Sequence, residues 1–198
     1  MKIINYPDRS EWKELLSRPA MEVEGLYERV RTVLDDVRLR GDSALKEYEQ
    51  LFDKVSLDSF AVSRAELDEA GTLVPAELRK AIDCAALNIS KFHRAQFPAL
   101  LEVETTPGVV CRQKAVPITG VGLYIPGGTA PLFSTVLMLA VPARIAGCSE
   151  IILCTPPESD GRINPAILYA ARVAGVDRLF KLGGSQAIAA MAYGTKSV

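Results

Sequence analysis

The fold of this chain is decided by residues 116–128, VPITGVGLYIPGG, which read as an apolar β-strand that ends in a proline and two glycines. A helix-like apolar segment follows at about residues 132–146 and stops at Gly147. A strand, a tight glycine turn and a helix, in this order, predict one repeating unit of an α/β fold.

The same order occurs twice more along the chain. Residues 151–154 (IILC) and 178–182 (RLFKL) are short apolar runs, and each leads through a turn into a helix-like segment. The predicted strand ends, Ile125, Cys154 and Leu182, are spaced by 29 and 28 residues, the length of a βαβ unit. We therefore expect a parallel, doubly wound sheet in the order βαβαβα. Three strands would leave exposed edges, so we also expect the chain to continue past this sheet.

The region before about residue 97 is predicted to be helical. Apolar residues at three- and four-residue steps, including Leu26, Val33 and Val37, form one face of a helix that stops at Gly41. Asp42 is predicted to cap the next helix, at residues 43–52.

Two further capping motifs predict where helices start, and one turn predicts a boundary between two regions of the chain. Ser63 and Glu66 have the spacing of a capping box, and Asn164 before Pro165 predicts a capped helix start. A Thr-Pro-Gly turn begins at Thr106. We use it to divide the chain into a mainly helical region, residues 1–105, and an α/β region, residues 106–198.

The composition narrows the class of protein. The chain is 48% hydrophobic and 7% aromatic, which is typical of helices packed on a buried sheet. The 23 Lys and Arg nearly balance the 24 Asp and Glu, so no basic excess points to nucleic-acid binding. The most apolar window, residues 130–143, is shorter than the about 20 residues of a membrane helix, and the first ten residues do not resemble a signal peptide. We expect a cytoplasmic protein that binds neither nucleic acid nor membrane.

Histidine and cysteine are too few and too scattered for a recognisable metal site. The only histidine is His93, and the four cysteines lack the two-residue gap of zinc and redox motifs. His93 is interpreted as structural or exposed. Cys111 and Cys154 are candidate nucleophiles, but neither has a base beside it in the sequence. We predict no catalytic residue and no metal ligand in this chain.

A ligand site is expected where the three strands end, because open parallel sheets bind ligands beyond the carboxyl ends of their strands. Glycine pairs stand there at residues 127–128 and 183–184, and each precedes a helix whose first N–H groups favour anions. Neither loop has the GxGxxG spacing. On spacing alone, the loops suit either a bound nucleotide or the steric needs of a strand–turn–helix unit.

Longer stretches carry a family resemblance. Residues 121–138, VGLYIPGGTAPLFSTVLM, closely resemble the histidinol dehydrogenase signature, and residues 183–190, GGSQAIAA, continue it. Upstream, residues 40–45 (RGDSAL) and 52–54 (FDK) are also similar to the family. The chain is identified as resembling the N-terminal part of a histidinol dehydrogenase, with a Rossmann-like domain of an aldehyde-dehydrogenase-like fold.

The resemblance implies an oxidoreductase of histidine biosynthesis that converts L-histidinol through histidinaldehyde to L-histidine, with NAD and zinc as cofactors. It also implies a homodimer. The zinc ligands, the acid–base residues and most substrate contacts are expected beyond Val198, so this chain alone is expected to be inactive. The alternatives are a stand-alone, non-catalytic nucleotide-binding module of the same fold and another NAD-linked dehydrogenase.

By the same resemblance, Tyr124 and Gln186 contact NAD. We expect both side chains to face one crevice, with loops shaped by Gly127, Gly128, Gly183 and Gly184. There is an alternative to NAD contact for each residue. Tyr124 could be a half-buried aromatic residue that packs against the strand, and Gln186 could be a polar residue at a helix start that bonds to its own backbone.

Overall fold

Three parallel strands form the centre of the structure, a computed structural model that describes residues 3–18, 24–128 and 130–198. The strands are β3 (Gly120–Tyr124), β4 (Glu150–Thr155) and β5 (Arg178–Lys181), in the order β3-β4-β5. Both strand pairs are parallel, which confirms the predicted α/β class. A second sheet is an antiparallel hairpin of β1 (Leu101–Thr106) and β2 (Val109–Gln113).

Eight α-helices occur in this described part of the chain. They are α1 (Trp12–Leu15), α2 (Glu24–Arg40), α3 (Asp42–Tyr48), α4 (Arg64–Leu73), α5 (Ala76–Ala95), α6 (Phe133–Ala146), α7 (Pro165–Val173) and α8 (Gly184–Tyr193). A short 3₁₀ helix, Arg9–Glu11, precedes α1, and a π-helical segment, Glu49–Asp53, continues α3.

The central strand β4 is covered on both faces. Its alternate residues Ile151 and Leu153 belong to one apolar cluster, together with residues of α4, α5, α6 and α7. Ile152 and Cys154 belong to a second cluster, with residues of α2, α3 and α8. Because successive side chains of a strand point to opposite faces, the apolar run of β4 supplies both cores. The predicted βαβαβα order is confirmed as β3-α6-β4-α7-β5-α8.

The outer edge of β5 is paired, contrary to the expectation of exposed edges on both sides. The backbone N–H of Val62 donates to Leu179 O at 2.9 Å, and that of Lys181 donates to Phe60 O at 2.8 Å. This short antiparallel contact comes from the loop before α4. A segment of the helical region therefore protects the edge strand.

The β1–β2 hairpin is not predicted from the sequence. Every residue of both strands is exposed, and although residues 101–104 (LEVE) alternate between apolar and polar, residues 109–113 (VVCRQ) do not. The turn between the strands contains Gly108, whose φ of +83° suits glycine. The boundary between residues 105 and 106 lies beside this turn and stays a prediction.

Two of the three predicted helix caps are confirmed. Ser63 Oγ accepts the N–H of Glu66 at 3.2 Å, while Glu66 Oε2 accepts the N–H of Ser63 at 2.9 Å. Asn164 Oδ1 accepts the N–H of Ala166 at 3.0 Å, one residue after Pro165 begins α7. Both caps satisfy N–H groups that a helix start leaves without partners.

The predicted capping role of Asp42 is wrong. Gly41 occupies the cap position, and Asp42 is already the first residue of α3. Its carboxylate instead accepts the hydroxyl of Ser197 at 2.6 Å and the N–H of Ser197 at 3.3 Å. Asp42 thus fixes the chain segment that follows α8.

None of the described helices combines the length and the apolar character that crossing a membrane requires.

Candidate functional site

The three strand ends open into one crevice of about 570 Å³. Its volume is in the range of small-molecule and cofactor sites. The crevice is lined by Tyr124 at the end of β3, by the loops after β3 and β4, by Gly184 at the start of α8, and by Asp53 from the π-helical segment. The predicted ligand region is therefore a cavity in the structure.

The glycines hold the loops close together. A Cβ atom on Gly127 would lie 2.7 Å from Pro156 Cγ, and one on Gly183 would lie 2.9 Å from Pro156 Cβ and 2.8 Å from Asp53 Oδ2. Real Cβ atoms almost never approach so closely, so neither position admits a larger residue without movement. Gly128 differs, because nothing lies within 4 Å of its Cβ position.

Tyr124 joins two of the strand ends. Its half-buried side chain lines the crevice, and its hydroxyl accepts the N–H of Gly184 at 2.9 Å. Since the hydroxyl accepts from the backbone, its own hydrogen stays available for a ligand. Burial raises the pKa of Tyr124, which keeps this hydrogen in place at neutral pH.

The expectation that Gln186 faces the crevice is wrong. Its side chain is fully buried and is absent from the crevice lining. Gln186 Nε2 donates to Glu49 Oε1 at 3.1 Å, because α8 carries the side chain inward against the π-helical segment. The contact with NAD implied for Gln186 stays a prediction.

Gly183 also lies behind the crevice surface, whereas Tyr124, Gly127, Gly128 and Gly184 line it directly. The structure thus brings together four of the six predicted site residues on the cavity wall.

Glu49 lies behind the crevice, at a position that the sequence does not reveal. It is 1% exposed, and its Oε1 accepts both the Gln186 amide and the N–H of Gly183, each at 3.1 Å. Burial raises the pKa of Glu49 to about 7. In the sequence, Glu49 is one of several acids on a charged helix and reads as solvent-exposed.

Asp53 connects Glu49 to the crevice. It lies one turn after Glu49 on the π-helical segment, and the two carboxyl groups influence each other's pKa. Burial raises the pKa of Asp53 as well. π-Helical turns are rare and occur often at functional sites. The segment therefore places two carboxyl groups behind the loop after β5.

Neither candidate nucleophile belongs to the crevice. Cys154 is fully buried on the face of β4 that packs against α2, α3 and α8, and burial raises its pKa to about 12, so the reactive thiolate is scarce at neutral pH. Cys111 is exposed on β2. His93 is half-buried on α5, in a separate shallow groove beside Phe97 and Pro142.

Comparisons with known proteins agree on one family. The profile described as histidinol dehydrogenase matches residues 16–198 of this chain. The chain is 60% identical over 198 residues to the histidinol dehydrogenase of Bacteroides fragilis, covering 100% of this chain and 46% of that protein. It is 54% identical over 201 residues to that of Xanthomonas axonopodis pv. citri, covering 100% of this chain and 47% of that protein.

A solved structure shows the same similarity. The crystal structure of histidinol dehydrogenase from Elizabethkingia anophelis matches with a TM-score of 0.93 and 50% sequence identity, covering 97% of this chain and 44% of that chain. The chain thus spans about half the length of the curated relatives it matches.

Proposed function

The chain belongs to the histidinol dehydrogenase family, and on this premise we propose that it forms part of an enzyme that oxidises L-histidinol, through histidinaldehyde, to L-histidine. Its role in that enzyme is to bind NAD. The observation that carries this proposal is the crevice at the carboxyl ends of three parallel strands, where ligands of open α/β sheets bind.

The crevice residues suit NAD in distinct ways. Tyr124 offers an aromatic face and a hydroxyl hydrogen that its bond to Gly184 leaves free. Gly127 and Gly128 allow a ligand to approach the backbone after β3 closely. NAD, when bound, supplies the hydride-accepting chemistry, while the chain's own residues bind and orient it.

Zinc does not fit this part of the protein. Across residues 3–18, 24–128 and 130–198, no group of three or more His, Cys, Asp or Glu side chains is placed to hold a metal ion. We assign no catalytic step to zinc here. The zinc ligands expected beyond Val198, the homodimer and the cytoplasmic location stay predictions.

A hybrid protein tests the proposed activity. The chain is fused to the part of the Bacteroides fragilis enzyme that lies outside the match, and NADH formation from L-histidinol is followed with zinc present. We expect turnover by the hybrid, because the crevice supplies the cofactor wall and the added half supplies the missing groups. The chain alone, and the added half alone, are the controls, and we expect neither to form NADH.

Two results would contradict this proposal. A hybrid that folds, as judged by circular dichroism, but forms no NADH would show that this chain cannot replace the matching part of the Bacteroides fragilis enzyme. Histidinol-dependent turnover by the chain alone would show that the catalytic groups lie within it.

A further inference from the structure

Glu49 and Asp53 form a pair of carboxyl groups directly behind the loop that closes the crevice. Asp53 lines the crevice, and its Oδ2 lies 2.8 Å from the position that a Cβ atom on Gly183 would take. Glu49 lies deeper and accepts the N–H of Gly183. The pair therefore contacts the backbone after β5 from behind.

The hydrogen bonds of Glu49 are asymmetric. Oε1 accepts two N–H donors, from Gly183 and Gln186, whereas the buried Oε2 has no donor among the residues described. A buried carboxylate oxygen without a donor is costly. A proton on Oε2 removes the charge from this oxygen and leaves both bonds to Oε1 intact.

The surroundings do not compensate for two negative charges. The titratable groups that face Glu49 are Asp53 on its own segment, Tyr124 on β3 and Cys154 on β4, and the last two are neutral at pH 7. Within the described ranges, no Lys or Arg forms an ion pair with either carboxyl group. A buried and a half-buried carboxyl group that both approach Gly183, without a cation beside them, favour holding one proton between them.

We propose that Glu49 and Asp53 share one proton and act as a positioning pair, which fixes the Gly183–Gln186 backbone so that the crevice keeps the shape that binds NAD. The NAD part of this inference rests on the proposed function. When the proton is lost, repulsion between the carboxylates drives Asp53 away from Glu49. The backbone at Gly183 and Gly184 then loses its support, and the affinity of the crevice for NAD falls.

Glu49→Gln is the decisive variant, because glutamine keeps a carbonyl acceptor for Gly183 and Gln186 and permanently donates an N–H to Asp53. NAD⁺ affinity is measured by NMR titration of the chain between about pH 5.5 and about pH 8.5, a range that brackets the pKa of Glu49 at about 7. In the wild type we expect the Kd to rise about tenfold for each pH unit above that pKa. In Glu49→Gln we expect a flat profile, within about threefold of the low-pH affinity of the wild type.

Asp58→Asn is the matched control, since Asp58 is an exposed acid in the loop after the π-helical segment. We expect it to keep the wild-type pH profile. A second readout is independent of NAD: carbon-13 NMR of the side-chain carboxyl groups, together with hydrogen exchange at the Gly183 amide. We expect one shared titration step that Glu49→Gln abolishes. We also expect the protection factor of the Gly183 amide, which corrects the exchange rate for base catalysis, to fall above that step in the wild type only.

The outcomes separate the two proposals. If NAD⁺ fails to bind at any pH but the shared step and the Gly183 exchange behave as expected, the positioning pair stands and the proposed function fails. If both carboxyl groups titrate independently at ordinary values, or if Glu49→Gln keeps the wild-type pH profile, the positioning pair is overturned.

Discussion

Phe180→Ala is expected to destabilise the folded chain by about 3–5 kcal/mol, the largest effect of any single substitution considered. Phe180 is 2% exposed in β5 and belongs to the apolar cluster formed with α2, α3 and α8. Residues from α2 (Val33, Val37) and from α3 (Leu45) share this cluster. Truncation would leave a cavity that rigid elements on several sides cannot fill. Since small domains have about 5–15 kcal/mol of stability, much of the total would be lost.

Urea unfolding followed by circular dichroism measures this change. Phe92→Ala is the control, because Phe92 is 63% exposed on α5. We expect the control to change the free energy of unfolding by less than about 0.5 kcal/mol. A loss below about 1 kcal/mol in Phe180→Ala would show that the helical region does not pack on this face of the sheet.

Gly183→Ala is expected to destabilise the chain by about 1–3 kcal/mol and to weaken NAD⁺ binding at least about tenfold. Its backbone is extended, with φ of −101°, so strain in the backbone is not the reason. The added methyl group instead collides with Asp53 and with Pro156 Cβ. Asp53 can move aside, but Pro156 is rigid, so the loops after β4 and β5 are forced apart. Both loops lie at the carboxyl ends of the strands, where the crevice opens.

Gly128→Ala separates this collision from a general effect of replacing glycine. Gly128 also belongs to the crevice, but its Cβ position has no neighbour within 4 Å. We expect it to alter stability by no more than about 0.5 kcal/mol, measured by the same urea unfolding. Equal effects of the two substitutions would mean that close packing of the loops does not shape the crevice.

The central sheet is predictable from the sequence because its signals are local. Strands β3, β4 and β5 end at Tyr124, Thr155 and Lys181, each within one residue of the predicted end. Buried parallel strands are short apolar runs, and the glycines and prolines after them mark where they stop. The start of β3 is less predictable: residues 116–118 are apolar but exposed, and β3 begins only at Gly120.

The β1–β2 hairpin is not predicted because its local sequence signals are weak. Its strands bury neither face, and the alternation of apolar and polar residues is confined to the first strand, LEVETT, while the second, VVCRQ, lacks it. One supporting contact, the ion pair between Arg112 and Glu102, becomes visible only when the pairing of the strands is known. A surface hairpin is stabilised by its turn and by such cross-strand pairs, which leave a weak sequence signal.

The inner part of the candidate site depends on contacts between distant residues. Glu49 and Gln186 are 137 positions apart, and they meet because α8 packs against α2 and α3, and the π-helical segment continues α3. The resemblance implies that the glutamine contacts NAD, yet it carries no information on which way the side chain turns. Strand ends therefore follow from the sequence, whereas the buried carboxyl pair behind them requires the folded structure.

Titration of the nitrogen-15-labelled chain with millimolar NAD⁺ tests most directly whether the crevice binds this cofactor. Because much of the site is expected to come from the rest of the protein, weak binding is expected, and NMR detects weak binding residue by residue. We expect saturable shifts at the amides of Tyr124, Gly127, Gly128 and Gly184. Shifts confined to the groove around His93 and Phe97, or no saturable shift at all, would contradict the assignment of the crevice to NAD.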